Sequence, residues 1–453
     1  MNTLRAGFSR VTITPMMGIG IAGYYKPRFA EGVLDDLELN ALALACGDTK
    51  AVLLSIDHCG IQQELSAACR KHVSEVTGLP KEAIYLSATH THTAPFLRQP
   101  PQDSLEQEYS QFVRRKMADV AQFALSDLKP ARMGWGIGDA PNIAFIRRFR
   151  MKDGSVKTNP GVRNPDIAAP LGEVDKRVNV LRFDQEGGEH LILVNFGDHP
   201  DTVGGNKISA DWPGFLRRTV EKTLDHSRCI FFNGAEGDVN HVNVHPKGGD
   251  LNDMFMDFDD VSRGYGHARH MGRVVAAATL QAFDKVQYVD VDTLRCLQRT
   301  IQVPSNMPNP ADLPEARRLN ELHEAGKDAK IPYTGMMLTT VVAEAARMLR
   351  LEHGPDAFSM ELTGIGIGPV AMAGIPGEPF TGIGRALKET AGWDLVLPTC
   401  NTNGDEGYFP MRDAYEEGGY EARSSNFKAG VAELMVAEGQ QMLNDLRDTY
   451  VSN

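Results

Sequence analysis

A chain of 453 residues can bury a large core, and its net charge of −12 argues against non-specific nucleic-acid binding. No apolar run reaches the length of a membrane span, and no Pro/Ser-rich linker, low-complexity tract or repeat divides the chain. The start, Met1-Asn2-Thr3-Leu4-Arg5, leads into a strand-like segment without the apolar core of a signal peptide, which points to the cytoplasm.

Residues 37–46 and 51–57 read as strands joined by a hairpin turn at Gly47-Asp48. Leu65, Cys69, Val73 and Val76 mark one helix face, ended by Gly78 and Pro80. A buried strand follows to Ala88, and residues 109–128 read as a helix with Phe112, Val113, Met117, Val120 and Ala121 on one stripe. Further on, residues 177–183, 190–196, 229–232, 370–373 and 395–397 read as strands, the first two joined by the turn at Gln185-Glu186-Gly187-Gly188. Pro213 opens a helix, and residues 263–283, 338–351 and 427–446 read as helices. The alternation predicts an α/β or α+β fold of mixed sheets with flanking helices, and with no linker in sight residues 1–453 read as one domain. The six scattered cysteines form no C-x-x-C pair and read mostly as small core residues.

The most chemical stretch is Thr89-His90-Thr91-His92-Thr93 at the end of the strand to Ala88. Two histidines two residues apart project from the same side of an extended chain, and His-x-His at a strand end is a plausible start for a metal site. Asn195-Phe196-Gly197-Asp198-His199-Pro200 repeats the grammar: an apolar strand, then polar groups, with Asp198 able to orient a histidine. Glu378, set between Pro376-Gly377 and Pro379, is a rigidly held carboxylate that suits a ligand. Tyr408 and Tyr420 lie in Gly-rich polar loops that can present a hydroxyl to a site.

Arg147, Arg148, Arg150, Lys152 and Lys157 form a basic cluster that could seat an anionic substrate group. Gly18-Ile19-Gly20-Ile21-Ala22-Gly23 matches G-x-G-x-x-G but lacks the strand-loop-helix context of a nucleotide site. Neither G-x-x-x-x-G-K-[ST] nor G-x-S-x-G occurs.

Taken with Gly7 to Pro15, Val174-Asp175-Lys176-Arg177, Ser209-Ala210-Asp211 and Asn233-Gly234-Ala235-Glu236-Gly237-Asp238, these motifs resemble the catalytic domain of the neutral/alkaline ceramidases. The resemblance implies a zinc-dependent hydrolase of an N-acyl amide. It implies zinc held by His90, His199, Glu378 and Tyr408, with His92 as acid/base, Tyr420 on the reacting carbonyl oxygen and Arg147 in the pocket. Zinc in such a site lowers the pKa of bound water to about 7 and polarises the carbonyl. Asn240 stands where the family offers a serine, Phe145 to Arg150 replaces a Ser-containing pocket sequence, and no C-terminal β-sandwich domain fits in this length. These departures imply a smaller, soluble amide or ester, with room for an anionic one, rather than a membrane lipid. Two alternatives remain: a TIM-barrel amidohydrolase, which also uses His-x-His, and a metal-binding protein without turnover, which Asn240 favours.

Overall fold

A computed structural model describes residues 3–255 and 264–448. Its mixed sheets with flanking helices are the α/β architecture that the alternation of periodicities predicts. The hairpin at Gly47-Asp48 joins Glu38–Cys46 to Thr49–Ile56. The next helix runs Gln63–Thr77, and Gly78 caps it at φ 73°, its N–H donating to Ser74 O. Val76 and Phe112 depart from the expected apolar stripes and are exposed. The helix expected to begin at Arg263 spans Tyr265–Phe283, and Arg263 itself lies outside the described residues.

One hydrogen-bonded path runs from Ser227–Asn233 through His190–Phe196, Arg177–Gln185, Lys129–Asp139, Arg5–Thr12, Glu38–Cys46 and Thr49–Ile56 to Ile84–Ala88. It is thin at one point: only Arg5 and Ala6 pair with Pro130 and Lys129. The sheet bends there into two limbs. A separate four-stranded sheet orders Leu294–Pro304, Ala357–Ile367, Val370–Gly374 and Leu395–Thr399.

Period-2 alternation decides what each limb faces. Leu42, Leu44 and Leu53 from one limb, Leu191, Leu193 and Phe232 from the other, and Ile365, Met372 and Leu397 from the separate sheet share one central core. Residues one step away point outward under helices. Ala41, Ala43 and Leu54 meet Gln63–Thr77 and Ser104–Ser126. Ile192, Val194 and Phe231 meet Asp211–Thr223 and Tyr265–Phe283. Ala371, Ala373 and Val396 meet Thr381–Lys388 and Val431–Asp448. The edge strands Ile84–Ala88 and Ser227–Asn233 do not pair, so no barrel closes, and the TIM-barrel alternative is overturned.

Each of the three sheet regions contains one parallel pair. They are Thr49–Ile56 with Ile84–Ala88, His190–Phe196 with Ser227–Asn233, and Val370–Gly374 with Leu395–Thr399. Parallel strands end at the same side, and open α/β sheets bind ligands beyond their carboxyl ends. The chain leaves these six ends toward His58, His90, His199, Glu236, Glu378 and Asn401.

Candidate metal centre

The His-x-His segment is not extended. The strand stops at Ala88 and His90 turns into the left-handed region at φ 73°. The two rings meet because of that turn, their Nε2 atoms 3.1 Å apart. A left-handed non-glycine residue needs support from its surroundings. Here His90 N donates to His58 O at 2.8 Å, His92 N to Pro200 O at 3.1 Å, and the Thr91 and Thr93 hydroxyls both donate to Ser209 O. The Ser209-Ala210-Asp211 motif therefore braces the histidine turn.

His90 and His199 have the same orientation logic. His90 Nδ1 donates to Cys59 O at 2.6 Å. His199 Nδ1 donates to the carbonyls of Glu236 at 2.9 Å and Val239 at 3.0 Å. A neutral imidazole with its proton on Nδ1 carries a bare lone pair on Nε2. Both bare nitrogens face Glu378 Oε2, at 3.5 Å from His90 and 3.2 Å from His199. That oxygen is buried without a hydrogen-bond donor. Three acceptors aimed at one point repel one another unless a positive charge sits between them. His90, His199, Glu236 and Glu378 are all buried, with donor atoms close enough together to hold one metal ion.

The titration directions agree. Burial opposes charging His90, yet the neighbouring Cys59, Glu378 and Glu236 hold its pKa well above the ordinary imidazole value. Burial pushes Glu378 up, but His90 and His199 hold it well below the carboxylate range. The cluster thus demands a cation, which a proton or a metal ion supplies. His92 behaves oppositely: burial and the His90 charge keep it well below its usual value, so it stays neutral.

Tyr408 reaches the cluster because Glu378–Pro379 and Tyr408–Phe409 form a short parallel pair, with Glu378 directly opposite Tyr408. The Tyr408 ring stacks on His199 with centroids 6.4 Å apart, and the Tyr420 ring meets it edge-on at 5.5 Å. Burial first, then Glu378, holds the Tyr408 phenol well above 10; burial and Tyr25 do the same for Tyr420.

Arg147 is buried, its Nε on Glu421 Oε1 at 2.6 Å and its guanidinium 5.3 Å over the Tyr408 ring. Its Nη1 stands 3.3 Å from His199 Nε2. The rest of the basic cluster does not join it. Arg148 and Arg150 are tied to Glu417, while Lys152 and Lys157 are exposed. Five cations therefore do not converge on one anion seat.

Two cavities flank the cluster, of about 700 Å³ and about 550 Å³, and share Gly23, Tyr24, Tyr25, His92, Tyr408 and Tyr420. His90, His92, His199, Glu378, Tyr408, Tyr420 and Arg147 are thus brought together around one point. Asn240 is not part of it: its amide bonds Asn159 and Val242 N, and it lines neither cavity.

Sequence reasoning missed several participants. Glu236, not Asp198, stands behind His199, its Oε2 2.7 Å from Nδ1 but off the N–H axis. The Asp198 carboxylate bonds no donor and burial holds its pKa well above the usual range. The G-x-G-x-x-G segment, set aside as a nucleotide loop, supplies the cavity wall. Gly23 sits at φ 97°, and a Cβ there would lie 2.7 Å from His92 Cβ and Cγ. Only glycine's missing side chain lets this loop approach His92 so closely. Cys59, expected in the core, lines the larger cavity and forms an overlapping donor set with His90 and His92. Burial raises its thiol, which works against the thiolate form that binds metal.

No family model matches the sequence. Comparison with solved structures does find matches. Neutral ceramidase from Pseudomonas aeruginosa superposes with a TM-score of 0.72 at 18% identity, over 99% of this chain and 75% of that one. The chain has the fold of neutral ceramidase. A ceramidase complexed with C2 gives the same TM-score at 17% identity, over 99% of this chain and 76% of that one. Among the described residues no helix is long and apolar enough to cross a membrane.

Proposed function

We propose that this chain is, as one catalytic domain, a zinc-dependent hydrolase of an N-acyl amide bond. The observation that carries this reading is the convergence of two bare imidazole nitrogens and a donor-free carboxylate oxygen where two cavities meet. His90, His199 and Glu378 would hold the ion, with Tyr408 as a fourth ligand; nitrogen and oxygen donors of this kind suit zinc. The likeness in fold to neutral ceramidase supports the same chemistry. When bound, zinc supplies Lewis acidity toward the amide carbonyl and acidifies water.

The chain's own groups perform the proton work. Tyr420 keeps its phenolic proton through the neutral range and donates it as a hydrogen bond to the carbonyl oxygen of the substrate. His92 is neutral and accepts the proton of the attacking water on its imidazole. The C–N bond then breaks, and the same proton passes from His92 to the leaving nitrogen. Arg147, neutralised by Glu421, fixes the faces of Tyr408 and His199 rather than offering a free charge.

The test is turnover of a panel of soluble N-acyl compounds, abolished by chelator and restored by zinc. Failure across the panel with one zinc bound per chain would overturn the reading and leave a metal-retaining protein without turnover. Asn240 lines neither cavity; its side chain bonds Val242 N and Asn159, which lines the smaller one.

A further inference from the structure

The two cavities differ in what their charges do. In the smaller one the charged groups other than the exposed Lys26 are already satisfied. Arg147 pairs with Glu421, Asp201 with His241, and His323 with Asp328. Arg28 donates to the carbonyls of Gly205, Ala22 and His92. Its remaining wall sets Met336, Leu338 and Val342 from the helix Gly335–Leu351 and the rings of Tyr24 and Tyr25 beside the uncharged Thr158, Asn159 and Thr339.

The larger cavity carries the opposite imbalance. Glu64, Asp405 and Glu406 line it, and none of the three forms a salt bridge among the described residues. Arg350 is the one arginine or lysine in its described lining, and it donates to the Asn426 side chain. Glu378 lines the same cavity. It is 6% exposed, and its Oε2 has no hydrogen-bond donor. The polar lobe therefore runs without interruption to the candidate metal centre.

We propose that these lobes are the two arms of the substrate site: an aliphatic group enters the lobe of Met336, Leu338 and Val342, and a cationic group, such as a primary ammonium, enters the lobe of Glu64, Asp405 and Glu406. The inference rests on the amide-hydrolase reading and narrows its substrate class. An ammonium brings three N–H donors to carboxylates that form no salt bridge, Arg350 acting on Glu406 and His90 on Asp405 only at longer range. An aliphatic chain displaces water from the apolar patch of Met336, Leu338 and Val342. The scissile amide then lies where the lobes share His92, Tyr408 and Tyr420. A substrate with two apolar arms would leave the carboxylate lobe unmatched, and an anionic group would be repelled there.

Three octanoyl amides test this with the zinc-loaded protein: those of 1,2-diaminoethane, ethanolamine and glycine, which end in an ammonium, a hydroxyl and a carboxylate. Binding is read by calorimetry and hydrolysis by release of the amine. The ammonium compound should bind about tenfold more tightly than the hydroxyl compound, and the carboxylate compound most weakly. The preference should shrink toward parity in the Asp405→Asn, Glu406→Gln double variant, whereas Leu338→Asp should weaken all three compounds. Should the double variant not fold, the wild-type salt series decides, because the ammonium preference must fall as ionic strength rises. Equal binding, a preference for the carboxylate compound, or a preference that survives the double variant or high salt would overturn the two-arm assignment. Selective binding without release of amine would overturn the hydrolase reading alone; release without selectivity would overturn the arms alone.

Discussion

Two buried charge clusters lie at neighbouring strand ends, and they are built oppositely. At the end of Thr49–Ile56, Asp57 receives both arms of Arg217, at 3.0 and 2.6 Å, with Glu38 N at 2.8 Å and the Thr89 hydroxyl at 3.2 Å. The third arm of Arg217 reaches Glu38 at 3.0 Å. Every charge there has a partner, although burial still holds the Asp57 pKa above its ordinary value against the pull of Arg217. At the end of Ile84–Ala88, His90 joins His199 and Glu378 in a group whose Nδ1 sides are satisfied by carbonyls and whose inward atoms are acceptors, with Arg147 Nη1 reaching His199 Nε2 at 3.3 Å. Equal burial with unequal satisfaction separates a structural cluster from one that waits for a cation.

The sharpest way to break this comparison is to remove one member from each cluster. His199→Ala should abolish both zinc binding, read by metal analysis, and turnover, while the metal-free protein keeps its unfolding midpoint. Arg217→Ala should do the reverse. Stranding Asp57 should cost about 3–5 kcal/mol in urea unfolding, while the fraction still folded binds zinc normally. If His199→Ala unfolds the protein and Arg217→Ala does not, the contrast is wrong.

Smaller changes sharpen it. Tyr420→Phe should retain zinc and lose about a hundredfold in kcat, the cost of one hydrogen-bond donor to the carbonyl oxygen. Glu236→Gln should weaken zinc affinity by about 10–100-fold in a competition titration, because it removes the charge behind His199 without touching the inward face. Asn240→Ser, at the smallest end, should change stability by about 1 kcal/mol through its lost hydrogen bonds. It should not raise turnover; a gain would mean that this position reaches the substrate after all.

The elements with clean periodicity were legible: the hairpin at Gly47-Asp48, the helix ended by Gly78, and the paired strands around His190–Phe196. The strands Lys129–Asp139, Leu294–Pro304 and Ala357–Ile367 and the helix Leu313–Glu324 were not. Lys129–Asp139 contains Gly134, Gly136 and Gly138, which read locally as breaks. In the fold, a Cβ at Gly138 would lie 2.3 Å from Ala278 O, so glycine there permits the helix Tyr265–Phe283 to lie on the strand. The reason for the residue is a contact about 140 positions away, which no local window contains.

The site divides the same way. Residue type and order drew attention to the strand-end histidines His90, His92 and His199, and the resemblance to the ceramidases added Glu378, Tyr408 and Tyr420 with their roles. Sequence could not say which nitrogen of each histidine is free, since that is set by the carbonyls of Cys59, Glu236 and Val239 arriving from other strand ends. Nor could it show that Glu236 rather than Asp198 stands behind His199, that Gly23 presses on His92, or that an apolar patch lines one cavity and three carboxylates the other. The sequence determined the ligand chemistry, which belongs to side-chain type. Orientation, tautomer and charge balance were decided by tertiary structure, because each depends on distances between segments that only folding brings together.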